Sequence, residues 1–238
     1  MEIEYLLFAL LGFTATTISA VFGFGTALIV LAVGSHILPV KDAIALGTVL
    51  FAASTVLKTV LFGKHIDWKI AGIMAIASLP FAYLGAAFLT DMPTGLLRRL
   101  LGSMILIYLC LSIFNLFPRI KIGTAGLVAG SAAYGFVSGL LGSGNLIKAI
   151  IFREMKITKE AFVGAMAATS VLSNAAKITA YTKSGLLGSH QLWPIVTLVL
   201  GTILAVQLGR RILRFVSVSH FEVGIQVVLG VSAIALLI

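Results

Sequence analysis

Runs of about 20 apolar residues follow one another along the whole chain, separated by short breaks carrying charge, proline or glycine. A helix of that length, at about 1.5 Å per residue, crosses a hydrocarbon core of about 30 Å. A bilayer leaves the backbone little choice, because each peptide N–H and C=O must be satisfied without water. An all-α, multi-pass membrane protein is therefore expected. Composition agrees: 60% of residues are apolar and 11% charged, where a soluble domain carries roughly a quarter charged residues.

Eight runs can be read, at about 5–38, 42–62, 68–89, 96–117, 122–152, 159–181, 192–213 and 221–238. They fall into two repeats of four, residues 1–118 and 119–238, within a single transmembrane domain. A shift of 119 positions carries ISAVFGFG at 18–25 onto VSGLLGSG at 137–144. The same shift carries Ser54, Thr55 and Lys58 onto Ser173, Asn174 and Lys177, Phe62 onto Tyr181, and Lys64 onto Lys183. The fourth and eighth runs match through Leu101-Gly102 and Leu229-Gly230 at a slightly larger offset.

The first and fifth runs are longer than a crossing needs, near 45–50 Å as helices. Each is interrupted two-thirds of the way along, at Gly23-Phe24-Gly25 and Gly142-Ser143-Gly144. A helix that enters, unwinds at the glycines and turns back accounts for both observations, since non-helical backbone at depth survives only where protein or a polar cavity surrounds it. Re-entrant segments give three crossings per half and inverted halves; segments that cross once give four and parallel halves. Both arrangements put Arg153, Lys156, Lys159, Arg210, Arg211 and Arg214 in the cytoplasm of a cell (inner) membrane and the N-terminus outside. The distribution of bases favours the inverted arrangement. The start, with Glu2 and Glu4 where a secretory signal carries bases, reads as a retained helix.

Lys58, Lys177 and Lys148 lie within apolar runs, whereas all eight acids lie at termini, loops or helix ends. A lysine in a bilayer costs several kcal/mol unless paired, hydrated or snorkelling, and no carboxylate stands at matching depth. Water or an anion is then the partner. Each lysine could instead snorkel to the nearer interface, about four residues away. The repeat favours a two-fold anion site built from Lys58 and Lys177 with Ser54, Thr55, Ser173 and Asn174 one turn earlier. Thr26 and Asn145 follow the glycine breaks, and with the Gly25 and Gly144 backbone they offer hydrogen bonds at half-helix N-termini, a recurring anion site in transporters. Close packing through small residues is the plainer explanation of the glycines. Lys148 falls opposite Ile29 and is either a cytoplasmic-end snorkeller or an asymmetric site residue. Tyr134 reads as interhelical glue. No cofactor and no metal are expected: Cys110 is the single cysteine, and His36, His65, His190 and His220 are scattered over loops without ligand spacing. The net charge of +9 is the positive-inside bias of short loops, so no nucleic-acid partner is expected.

The repeated stretch ending in Gly-x-Gly, the pair Lys41-Asp42-Ala43 and Lys159-Glu160-Ala161, and the eight-run plan resemble the TauE/SafE family of membrane permeases, often labelled sulfite exporters. The likeness covers nearly the whole chain. It implies transport of sulfite, sulfonates or similar sulfur oxyanions. Thr26 and Asn145 stand where the family usually continues its glycine run, and no proline follows either break. Three function classes are in play. An anion permease working by alternating access explains the lysines, the absent acids and the broken helices. A membrane scaffold or subunit would use the polar residues only to lock helices. A lipid-acting enzyme would need a base or nucleophile with a partner at depth, and none is seen. The partners expected are a small inorganic or organic anion and the bilayer, with a homodimer left open.

Overall fold

The computed structural model describes residues 2–22, 25–114, 116, 123–153, 158–213 and 215. Within them the chain is helical. Helices α1 (Glu2–Phe22), α2 (Thr26–Ile37), α3 (Val40–Phe62), α4 (Trp68–Asp91) and α5 (Thr94–Ile113) come from the first half. Helices α6 (Thr124–Leu141), α7 (Asn145–Arg153), α8 (Lys159–Ala168), α9 (Val171–Lys183) and α10 (Leu192–Leu213) come from the second. Six stretches among the described residues are long and apolar enough to cross a membrane: Ile3–Phe22, Val40–His65, Trp68–Asp91, Thr124–Leu141, Lys159–Lys183 and Ser189–Leu213. The expected fourth run falls on α5, and the eighth, 221–238, lies outside the described residues, as do Gly23 and Phe24.

The long first and fifth runs are each two helices. Gly25 takes φ 108° just before α2, and Gly142 takes φ 77° just after α6, conformations that a side chain disfavours. Beyond the turn the chain doubles back. Gly34 of α2 packs against Phe8 and Leu11 of α1, and Ile151 of α7 lies against Gly130 of α6. At 12 residues α2 reaches about 18 Å, short of a full crossing. Each hairpin is thus a whole helix followed by a shorter returning one.

The expected sixth run departs from a single helix. It breaks at Thr169-Ser170 into α8 and α9, whereas α3 is continuous. The Ser170 N–H donates to Ala167 O rather than to Met166 O, and the Met166 carbonyl accepts instead from the Lys148 ammonium (2.8 Å) and the Ser170 hydroxyl (3.0 Å). A side chain that takes over a helical carbonyl is a recognised cause of such interruptions.

Helices of the two halves interleave. Parallel α4 and α6 approach so closely that a Cβ at Gly135 or Gly139 would strike the backbone carbonyl of Ser78 or Ala82, the small-residue contact that lets membrane helices maximise van der Waals packing. Helix α10 lies along α1, with Gly12 beside Leu198 and Gly209 beside Thr17 and Ala20. At the centre α3 runs antiparallel to α8 and α9: Gly164 sits against Phe62 and Ile66, while Asn174 reaches Thr55. Helix ends are tied by cations. The Lys41 ammonium donates to Thr90 O near the end of α4 (2.6 Å), and that of Lys159 to Leu213 O at the end of α10 (3.1 Å), which satisfies orphan carbonyls at negative helix ends. The outward faces carry Leu6, Leu10, Ile76, Phe88, Leu200 and Leu204, all exposed. An apolar exterior around a partly polar interior suits a bilayer.

Candidate functional site

One cavity of about 60 Å³ lies where α1, α3, α6 and α9 meet the starts of α2 and α7. A single water needs roughly 10–15 Å³ on the same measure, so the space holds a few waters or one small ion. Three lysines line it, Lys58, Lys148 and Lys177, each at most 4% exposed. Among the described residues no carboxylate lines it.

Lys58 comes from the last turns of α3 and Lys177 from the matching turns of α9, and the two are held alike. The Lys58 ammonium donates to the Ser19 hydroxyl at 2.8 Å, across 39 positions of sequence. The Lys177 ammonium donates to the Ser138 hydroxyl at 3.2 Å, also across 39 positions, and to Gly142 O at 3.3 Å. An ammonium has three N–H donors. Among the described residues Lys58 has one partner and Lys177 two, so donors on both remain for whatever occupies the cavity.

Lys148 is placed differently. Its ammonium donates to Met166 O, contacts the hydroxyls of Ser170 and Thr169, and stands 4.6 Å from the centre of the Tyr134 ring. Tyr134 in turn donates to the Ser170 hydroxyl (3.0 Å) and shares a hydrogen bond with Ser173 (3.1 Å). Lys148 therefore does not snorkel, and most of its hydrogen-bonding capacity is used at the end of α8.

Gly25, Thr26, Ser54, Thr55, Gly144, Asn145 and Asn174 all line the cavity; Ser173 does not, and instead holds Tyr134. The Ser54 hydroxyl is buried without a hydrogen-bond partner. Such an orphan costs about 1–3 kcal/mol unless a ligand or water satisfies it. The Gly25 carbonyl accepts from the Ile29 N–H as the first bond within α2, and Thr26 and Ala27 of that first turn line the cavity. Ser19, Ser138, Ser143, Tyr134 and Ser170 were not expected as site residues. Ser19 and Ser138 could have been found from the repeat, since the same shift relates them; Tyr134 and Ser170 fall opposite Ala15 and Phe51, so the repeat gives no signal for either. Among the described residues no group of three or more His, Cys, Asp or Glu could hold a metal.

An apolar-faced helical protein with a cation-lined polar cavity in its interior is the architecture of a multi-pass membrane permease. The chain belongs to the family described as Sulfite exporter TauE/SafE, which matches it over residues 8–236, nearly its whole length. Comparison with curated proteins and with solved structures gives no match.

Proposed function

We propose that this chain is a secondary transporter of small anions, most naturally sulfur oxyanions such as sulfite or organosulfonates, and that the lysine-lined cavity is its central site. The observation that carries the reading is the repeated Lys–Ser pair, Lys58 with Ser19 and Lys177 with Ser138, in a cavity lined by no acid among the described residues. Buried ammonium groups without carboxylates need an anion or water to offset their desolvation. Free donors on both lysines, the orphan Ser54 hydroxyl and the start of α2 all converge on the same space. The positive end of that helix adds to the attraction.

Alternating access of two inverted halves is the mechanism that fits this site. Chain direction supports it. Helices related by an axis along the membrane normal run the same way, whereas α3 and α8–α9 pack antiparallel, as an axis in the membrane plane requires. The folded-back α2 and α7 support re-entrant segments in both halves. In this reading Lys58 and Lys177 supply charge, Thr26, Asn145, Ser54, Thr55 and Asn174 supply hydrogen bonds, and Ser173 acts through Tyr134.

Flux of radiolabelled sulfite, thiosulfate and methanesulfonate into proteoliposomes tests this, with wild type beside Lys58→Ala and Lys177→Ala. Wild type carries at least one of the three and both variants lose it. Unchanged flux in both variants would remove the lysines from the site. No flux of any of them in wild type would favour the scaffold reading.

A further inference from the structure

A second cavity, of about 250 Å³, lies beside the first, between the start of α4 and the helices α7 and α8. Ala71, Phe152, Ala161, Ala165 and Thr169 line it, with His65 and Asp67 toward its polar side. Thr169 is fully buried, and its hydroxyl lies 3.5 Å from the Lys148 ammonium, which lines the lysine cavity. Thr169 of the larger space and Lys148 of the smaller one are thus in contact where the two spaces adjoin. The contact falls at the break between α8 and α9, where the Met166 carbonyl is held by Lys148 rather than by the helix ladder.

We propose that the larger cavity is the vestibule through which an anion reaches the lysines, and that Thr169 and Lys148 are the partition it crosses. The inference rests on the permease reading. Three further observations favour it. At the position equivalent to Thr169 the first half carries Leu50, fully buried against Gly12, so the opposite approach is sealed by an apolar contact. The helix break lets the partition move without unwinding a continuous helix, and α3 has no such break. Asp67 does not deter an anion as a free carboxylate would, because it caps α4 by accepting from the N–H groups of Lys69 (3.0 Å) and Ile70 (3.1 Å) at the positive end of that helix. An anion that enters meets Lys148 first, and the ammonium can exchange its Met166 and Ser170 contacts for the ligand before handing it to Lys58 and Lys177.

The test uses the full chain in proteoliposomes in a Cys110→Ser background, since the native cysteine is exposed. Ala165→Cys, with Ala161→Cys as the second position should the first fail to fold, is treated with a membrane-impermeant, negatively charged methanethiosulfonate reagent. Ser184→Cys, at the exposed end of α9, is the control. Flux is followed with whichever of sulfite, thiosulfate or methanesulfonate the wild type carries. Modification at Ala165→Cys or Ala161→Cys is expected to abolish flux, and modification at Ser184→Cys to leave it unchanged. Full modification of both vestibule positions with flux intact would overturn the vestibule and leave the permease reading standing. Protection of both positions from the reagent on either side would also overturn it. If the wild type carries none of the three anions, the permease reading fails and this inference falls with it.

Discussion

Asn174 donates its side-chain N–H to the Thr55 hydroxyl at 3.2 Å, and the two residues are 119 positions apart, the same shift that aligns the halves of the sequence. Residues equivalent in two inverted repeats meet where the two-fold axis relating the repeats passes between them. In the proposed arrangement that axis lies in the membrane plane, and the lysines stand one turn beyond it on either side. Removing Thr55 strands the buried Asn174 amide, which costs about 1–3 kcal/mol, and removing Asn174 takes one bond from a Thr55 hydroxyl that still donates to Ala52 O (3.0 Å), while removing both leaves nothing stranded. Thr55→Val and Asn174→Leu should each lower thermal stability in detergent, and the double variant should lose less than the two combined. Additive losses would place the contact outside the stability of the fold.

Ser54 separates a ligand role from a structural one. Its hydroxyl lines the lysine cavity and has no protein partner, so Ser54→Ala removes nothing the folded chain uses. Stability should not fall, because an unpaired buried hydroxyl costs the folded state about 1–3 kcal/mol unless water meets it. Anion affinity should fall roughly tenfold, the weight of one hydrogen bond to a charged ligand. Equal affinity in concentration-dependent flux would mean that the anion binds elsewhere.

The sequence made some of this plain and hid the rest for physical reasons. Apolar run length declares helices, and the 119-residue shift declares which residues belong together, so Lys58, Lys177, Thr26, Asn145 and Asn174 could be named without coordinates. Lys148 was ambiguous because its counterpart is Ile29, and a repeat argument is silent where symmetry fails. The break at Thr169-Ser170 was illegible because no glycine or proline marks it; it arises from a tertiary contact, Lys148 on Met166 O. Ser173 and its counterpart Ser54 differ in a way the shift does not show, since Ser54 lines the cavity while Ser173 turns to Tyr134.

Lys41 and Lys159, which belong to the Lys-Asp/Glu-Ala pair, owe their place to helix ends rather than to the anion. Each ammonium holds a carbonyl at the end of α4 or α10, an interaction of about 0.3–1 kcal/mol for a cation at a helix C-terminus. Lys41→Met and Lys159→Met are expected to lower melting temperature in detergent modestly, with the ratio of sulfite to methanesulfonate flux unchanged. A change in that ratio would bring these lysines into the transport path.

The contact of α4 with α6 tolerates no side chain. Gly135 and Gly139 press on Ser78 O and Ala82 O, and helices in lipid have little besides such packing to hold them. Gly139→Val should cost more than the roughly 1–3 kcal/mol of ordinary overpacking, because backbone must separate rather than a side chain turn. Loss of the monodisperse peak on size-exclusion chromatography in detergent is the expected outcome. Gly102→Ala, at a glycine with open space around it, should elute as wild type.

The inverted arrangement makes a prediction that does not depend on transport. Lys64 follows α3 and Lys183 ends α9, and the two are equivalent under the shift of 119. Because α3 and α8–α9 are antiparallel, these lysines leave opposite ends of the bundle, whereas parallel halves would bring both to one side. In a Cys110→Ser background, Lys64→Cys and Lys183→Cys should react with an impermeant thiol reagent from opposite faces of oriented membrane vesicles. The face that modifies Lys64→Cys should be the one at which α8 begins, since Phe62 and Ile66 pack on Gly164 near its start. Labelling of both cysteines from the same face would require an axis along the membrane normal. The antiparallel contact at Gly164 and the Asn174–Thr55 hydrogen bond would then have to be absent from the protein in its membrane.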